Sequence, residues 1–247
     1  MRFGIAKAGS LLVGGIALTT TLGFSAAGAA NATVSPNATA ACGTNCYNIS
    51  SRILGPNTLL NAYVPGDTGT GAKAGQVINM KQGSNASPNE DFVLDRIGTV
   101  ASQCRSFFNP DGILLSNSVL CQAANGFRNK PAYEVNFAPF GNETGLCAGT
   151  TGTPVSGLQV RLTACGTTEG TLVVQGSPTT VGTPAVTYHT YISGATSTFS
   201  HPYVFTVNTG TSSPQNLIQL QQENLLTGST PASNQLFLAT QSPAGGF

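Results

Sequence analysis

Tryptophan is absent from this 247-residue chain, and other chemically active side chains are scarce: it has 2 histidines and only 8% charged residues. A catalytic centre would have to be built from 9 acidic residues and those 2 histidines. The 10 lysines and arginines give no basic excess for binding nucleic acid. Two histidines are also too few for the usual zinc sites of histidine and cysteine. The composition therefore predicts no catalytic residues, metal, cofactor or nucleic-acid partner.

The first 30 residues have the pattern of a secretory signal peptide. Arg2 and Lys7 precede an apolar run at 11–24, and small residues follow it. The apolar run contains threonines and is short for a bilayer span. Residues 31–41 are rich in Asn, Thr, Ala and Ser, which is typical of a flexible tail. We therefore expect a secreted protein with no membrane span after cleavage.

All six cysteines follow this leader, and an even number in an exported chain favours disulfides. Six cysteines allow 15 connectivities. Pairing each cysteine with its nearest neighbour closes three local loops and predicts the disulfides Cys42–Cys46, Cys104–Cys121 and Cys147–Cys165. Each of the two longer loops would contribute roughly 3 kcal/mol to stability in the chain-entropy model.

The rest of the chain consists of short apolar blocks bounded by Gly, Pro, Asn or Ser, which predicts an all-β domain over residues 42–247. Three blocks look like copies of one another: Asp91-Phe92-Val93-Leu94, Thr171-Leu172-Val173-Val174 and Gln235-Leu236-Phe237-Leu238. They divide the domain into three units, at 42–98, 133–178 and 186–241, with an insertion at 99–132. Three such units can close into a β-trefoil barrel. A β-sandwich of similar strand number is the alternative.

The middle unit carries a family resemblance. The stretch Gly145-Leu146-Cys147-Ala148-Gly149, followed by Val160-Arg161-Leu162-Thr163-Ala164-Cys165, resembles one repeat of the ricin-type β-trefoil lectin domains. Gln235-Leu236-Phe237 is similar to the Gln-x-Trp motif of that family, with Phe in place of Trp. The resemblance implies a β-trefoil fold and carbohydrate binding. It also implies that Phe92, Leu172 and Phe237 occupy the core positions of the missing tryptophans.

Sugar sites in this family combine an acid, an aromatic ring and amides. The middle unit has Ala148 where the family has an acid after the cysteine, so we do not expect it to bind sugar in the family manner. The outer units offer candidate ligands, which are Tyr63, Asp67 and Gln82 in the first and Tyr203, Asn208 and Gln219 in the third. Asp67 lies in Pro-Gly-Asp-Thr-Gly, where a turn role is the alternative. Tyrosines at such positions are more often half-buried strand residues than stacking platforms, which is the alternative for Tyr63 and Tyr203.

Two hypotheses about function follow. The first is a secreted, non-catalytic module that binds neutral glycans or cell-wall polysaccharide. The second is a structural or inhibitor-like β-trefoil that binds protein through the insertion 99–132, with Phe107 and Phe108 on a rigid exposed loop clamped by Cys104–Cys121. The densest acidic cluster, Glu90, Asp91 and Asp95, follows a turn and is interpreted as structural.

Overall fold

Short β-strands make up nearly all of the regular structure. The computed structural model describes residues 46–83, 87–104, 115, 118–122, 126–176, 178–198, 200–210, 216–226 and 230–241. All of them belong to the unit Ser35–Phe247. The predicted signal peptide 1–30, the tail 31–41 and Cys42 lie outside the described residues.

The strands within the described residues are β1 (Cys46–Ser51), β2 (Gly55–Ala62), β3 (Ile78–Gln82), β4 (Phe92–Thr99), β5 (Pro131–Phe137), β6 (Leu146–Gly149), β7 (Arg161–Ala164), β8 (Leu172–Gln175), β9 (Thr179–Val181), β10 (Val186–Tyr188), β11 (Tyr191–Ser193), β12 (Tyr203–Asn208), β13 (Leu217–Gln222), β14 (Leu225–Leu226), β15 (Thr230–Pro231) and β16 (Phe237–Gln241). The helical segments are one α-helical turn, α1 (Val100–Gln103), and the 3-10 helices η1 (Pro65–Asp67), η2 (Pro88–Glu90), η3 (Val119–Cys121), η4 (Pro139–Gly141), η5 (Glu169–Thr171) and η6 (Ser233–Gln235).

Six of these strands close into a ring. β1 pairs with β4, β4 with β5, β5 with β8 and β8 with β11, all antiparallel. His189, just before β11, exchanges backbone hydrogen bonds of 2.8 and 2.9 Å with Phe237 of β16. β16 then pairs with β1 and completes the barrel. A closed ring leaves no free barrel edge, which distinguishes this fold from a sandwich.

Three hairpins, β2–β3, β6–β7 and β12–β13, cover one end of this barrel, one hairpin from each unit. A six-stranded barrel capped by three hairpins is a β-trefoil, so the predicted fold class is confirmed. Each of the three similar sequence blocks begins at the last residue of a 3-10 helix or directly after it, and then enters a barrel strand; the helices are η2, η5 and η6.

The interior of the barrel is one apolar core to which all three units contribute. Phe92, Val173 and Phe237 are buried in it at equivalent positions, each two residues after the last residue of its 3-10 helix. The assignment of Leu172 to this set is wrong. Because side chains alternate across a strand, Leu172 faces the outside of the barrel while Val173 faces inward.

A second apolar core lies on the outer face of the barrel, where the insertion packs. Val100, Leu115 and Leu120 of the insertion are fully buried. They pack against four residues of the barrel strands, Ala132, Leu172, Val174 and Ile192, and against Val204 of the β12–β13 hairpin. Cys104 belongs to this cluster and is 6% exposed. The described part of the insertion, including the clamp, therefore packs against the barrel and does not project from it. Phe107 and Phe108 lie outside the described residues.

The two disulfides whose cysteines are both described follow the nearest-neighbour pattern. Cys104 is bonded to Cys121, and Cys147 to Cys165. Cys46 is also disulfide-bonded, but the predicted pair with Cys42 lies outside the described residues. In the part of the chain that the structure describes, no helix has the length and apolar character to cross a bilayer.

Candidate functional site

The three hairpins meet in a triangle at the centre of the cap. Each side of the triangle is one antiparallel bridge between two units: Val77 with Arg161, Gln159 with Gln219, and Leu217 with Asn79. The residues between them, which are Ile78, Val160 and Ile218, are fully buried in the barrel core. Because side chains alternate along a strand, the bridging residues face away from that core.

Polar side chains follow one another across one of these bridges, that between Gln159 and Gln219. The Nδ2 of Asn208 donates to Oε1 of Gln219 at 3.3 Å, and Gln219 is the bridge partner of Gln159. Gln159 accepts a hydrogen bond from the guanidinium of Arg161. A second nitrogen of that guanidinium donates to the carbonyl of Gly75 at 2.6 Å. These contacts fix the amides and the cation in one row.

Tyr63 extends this row toward the first unit. Its backbone N–H donates to the carbonyl of Val77 at 3.1 Å, continuing the β2–β3 register in which Ala62 lies opposite Ile78. Tyr63 therefore shares the outward face of Val77, the bridge partner of Arg161, and its side chain is 50% exposed. We call Tyr63, Arg161, Gln159, Gln219 and Asn208 the polar strip.

A shallow groove lies beside the strip. Its volume is about 340 Å³. Arg161 and Gln159 form part of its wall, and the other lining residues are Ala74, Gly75, Thr150, Thr151, Gly157, Leu158, Leu162 and Thr163. The wall offers hydroxyl, amide and backbone groups with one positive charge and no carboxylate. A volume of this size matches small-molecule binding sites.

Three of the six predicted ligand residues lie on the strip: Tyr63, Asn208 and Gln219. Tyr203 does not, because it shares the inward face of β12 with Phe205 and packs against the core. Gln82 lies at the exposed end of β3 on the face opposite Val77. Asp67 ends η1, and its side chain lies outside the described part of the chain.

Residue type and motif do not single out the two central residues of the strip, Arg161 and Gln159. Both belong to the middle unit, where Ala148 replaces the acid of the family's sugar sites and no sugar binding is expected. The sequence does show a strand-like alternation at these positions, because the polar residues Gln159 and Arg161 alternate with the apolar residues Val160 and Leu162. That alternation shows that both face outward, but it does not show which strands lie beside them.

The described acids near the first and second units have structural partners. The Oδ2 of Asp91 accepts the backbone N–H of Phe140 at 3.0 Å, and burial raises the pKa of Asp91 to about 6. Asp95 accepts from the Nδ2 of Asn136 at 3.4 Å. The same amide donates to Glu143 at 3.1 Å. Glu90 is also buried, with 2% of its surface exposed.

One described group has the composition of a metal site. Potential ligand atoms of Glu134, Cys147 and Cys165 lie within 4.8 Å of one another. The two cysteines form a disulfide and offer no thiolate. The Glu134 carboxylate accepts the N–H of Gly166 at 2.6 Å and the hydroxyl of Thr171 at 3.4 Å. Burial raises its pKa. The carboxylate thus fastens the loop between β7 and η5.

Neither histidine has an acid nearby in sequence, but the fold brings Glu223 beside His201. The Nδ1 of His201 lies 3.2 Å from the backbone carbonyl of Glu223, and the Glu223 carboxylate accepts from the Thr190 hydroxyl at 3.2 Å. Burial raises the pKa of Glu223, and His201 partly offsets that effect. His189 lies 3.2 Å from the carbonyl of Gly176.

No protein-family model matches the chain, and no curated protein matches it. Several solved structures resemble it in fold, among them the following two. A mosquitocidal holotoxin aligns over 81% of this chain and 17% of its own, with 9% identity and a TM-score of 0.46. The designed 3-fold symmetric protein ThreeFoil aligns over 79% of this chain and 97% of its own, with 10% identity and a TM-score of 0.45. The chain thus spans less than a fifth of the holotoxin's length. The strand pairing described above defines the trefoil independently of these similarities.

Proposed function

We propose that this protein is a secreted, non-catalytic carbohydrate-binding β-trefoil, comparable in role to the ricin-type lectins. The ligand is a neutral glycan or cell-wall polysaccharide bound across the polar strip. The observation that carries the proposal is the strip itself, which brings an exposed tyrosine, two glutamines, an asparagine and an arginine onto one face beside a groove.

The chemistry of the strip suits sugar hydroxyls. Amides donate and accept hydrogen bonds, and a guanidinium donates several, so together they can match a row of hydroxyls. The ring of Tyr63 offers an apolar face with a polar tip. The groove wall carries only one charge, which favours a neutral ligand over a phosphate or a polyanion. Arg161 would take the orienting role that an acid has in the family's sites.

Secretion and the absence of catalysis are parts of the same proposal. The predicted leader accounts for export, and disulfides are stable in the oxidising environment outside the cell. Glycoside hydrolysis needs two carboxylates on either side of the scissile bond. The groove has no carboxylate among its lining residues, so binding there is expected to leave the glycan intact. We expect no release of reducing sugar from any polysaccharide that the protein binds.

Arg161→Ala tests the proposal directly on an array of glycans and cell-wall polysaccharides in non-reducing buffer. Loss of a charge-assisted hydrogen bond costs about 1.5–3 kcal/mol, so we expect affinity to fall by roughly ten-fold or more. Arg96→Ala is the matched control, because Arg96 is an exposed arginine on β4. Failure of the native protein to bind any glycan, or equal binding by the two variants, would contradict the proposal.

A further inference from the structure

Phe140 is a large apolar residue displayed at the surface in an unfavourable backbone conformation. It lies in the middle of η4, with φ of 56° and 41% of its surface exposed. The left-handed region is uncommon for a bulky side chain and costs conformational free energy. Exposure of the ring forgoes the stabilisation that burial would give it. Neither feature helps the fold, which suggests that the ring is displayed for another reason.

Buried residues fix the turn that carries Phe140. Asp91, which is 8% exposed, accepts the N–H of Phe140 at 3.0 Å. The neighbouring Pro139 is buried, and the turn packs closely on the loop after η1, where a Cβ at Gly69 would meet Pro139 at 2.5 Å. These contacts leave the backbone of the turn little freedom.

The internal repeats show that the carboxylate is specific to this turn. Three equivalent backbone hydrogen bonds join each unit to the next: Arg52 N–H to Leu236 carbonyl at 2.9 Å, Ala138 to Asp91 at 3.0 Å and Gly194 to Leu172 at 2.7 Å. Two of the three acceptor residues are leucines with no exposed surface. The third acceptor residue is Asp91, which has a buried carboxylate at a position where the other two units have a buried leucine. The fold therefore does not require an acid here, and the carboxylate of Asp91 accepts the N–H of Phe140.

We propose that the turn Pro139–Gly141 displays Phe140 as a stacking platform for the apolar face of a neutral sugar ring, in a second subsite separate from the polar strip. The surroundings favour a saccharide over a protein. Phe140 is followed by exposed Gly141 and Asn142, whereas a protein interface needs a broad patch with an apolar centre. This inference rests on the proposed carbohydrate binding and adds to it, since two subsites on one chain would strengthen binding to a polymer.

The test replaces Phe140 by glycine, which adopts positive φ without strain. We expect Phe140→Gly to keep its melting temperature or raise it by roughly 1–3 °C, and to bind cellulose, chitin, xylan or mannan at least about five-fold more weakly than the native protein in a pull-down. Phe140→Tyr should retain binding. Val155→Ala, which trims another exposed apolar residue at 52% exposure, should change neither quantity.

The possible outcomes separate this inference from the proposal on which it rests. Binding that is lost in Arg161→Ala but unchanged in Phe140→Gly would overturn the second subsite and leave the proposed function standing. A melting temperature of Phe140→Gly lowered by more than roughly 5 °C would show that the ring is a structural element and would also overturn the inference. Absence of binding by the native protein to all four polysaccharides would overturn both.

Discussion

The junction between the first and second units differs from the other two in the chemistry of its buried side chains, although the backbone is the same. At the position that accepts the backbone hydrogen bond from the next unit, the first unit has Asp91 and the others have Leu172 and Leu236. Asn89 and Glu90 beside Asp91 are buried as well. Closure of the barrel fixes the backbone at the acceptor position in all three units. The side chain there can therefore either pack as a buried apolar group, as Leu172 and Leu236 do, or bind the turn that carries Phe140, as Asp91 does.

The largest expected effect comes from moving the acid to a junction that has no donor for it. Leu172 is fully buried in the outer core among apolar residues, and the described contacts offer no counterpart of the Phe140 N–H. Leu172→Asp buries an unpaired carboxylate and leaves a cavity, so we expect a loss of about 4 kcal/mol at neutral pH. Urea denaturation measures it.

Leu172→Asn is the matched control for this change, because it has similar volume and no charge. We expect it to be less destabilising than Leu172→Asp above neutral pH. Equal losses for the two variants would mean that the cavity dominates, and the contrast between the junctions would then be one of volume and not of charge.

A second contrast lies two residues earlier, where the first and third units have asparagine and the second has Gly170. Asn89 and Asn234 donate to the carbonyls of Val64 and Val207 at 3.0 and 3.3 Å. By the register of the hairpins, the carbonyl of Thr150 in the second unit corresponds to that of Val207 in the third, and it accepts instead from the Thr168 hydroxyl at 3.2 Å. One backbone acceptor is thus satisfied in two different ways.

Gly170→Asn would give the second unit the pattern of the other two, but the space is occupied. A Cβ on Gly170 would lie 2.1 Å from the Thr150 carbonyl oxygen. We expect a loss of roughly 3 kcal/mol, measured by thermal or urea denaturation. Asn234→Gly, which only removes hydrogen bonds and adds backbone freedom, should cost less, about 1–2 kcal/mol. The reverse order would show that the tight contact relaxes easily.

The sequence predicts features that depend on local patterns. The blocks ending at Leu94, Val174 and Leu238 indicate three units and a trefoil, and the spacing of Cys147 and Cys165 indicates their disulfide. Alternation alone also shows that Gln159 and Arg161 face outward. Each of these patterns involves residues close together in sequence, so it can be recognised without knowing which strands are neighbours in the fold.

The polar strip could not be predicted because it depends on contacts between units. Gln159 lies beside Gln219, and Arg161 beside Val77, only because the three hairpins meet. Tyr203 and Asn208 lie on one strand, where alternation places them on opposite faces. A choice of candidate ligands by residue type alone overlooks this. The packing of the insertion against Leu172 is likewise a tertiary contact.

The smallest expected effect, and the finest test of the junction contrast, is Asp91→Asn. Asparagine keeps an acceptor for the Phe140 N–H and removes the charge. Burial raises the pKa of Asp91 from an ordinary 3.8 to about 6 in the folded protein, so folding favours its protonated form. Its destabilising effect is complete above pH 6 and is relieved as the pH falls from about 6 to about 4. We expect Asp91→Asn to be more stable than the native protein by about 1–2 kcal/mol near pH 7 and to lose that advantage near pH 4. Melting temperatures measured across this range test the expectation.

Glu134 and Glu223, whose pKa values burial also raises, contribute with the same sign in both proteins. An unchanged pH slope in the variant would assign the effect to those two residues, and Asp91 would then differ from Leu172 and Leu236 in its hydrogen bond to the Phe140 turn and not in the energy of its charge.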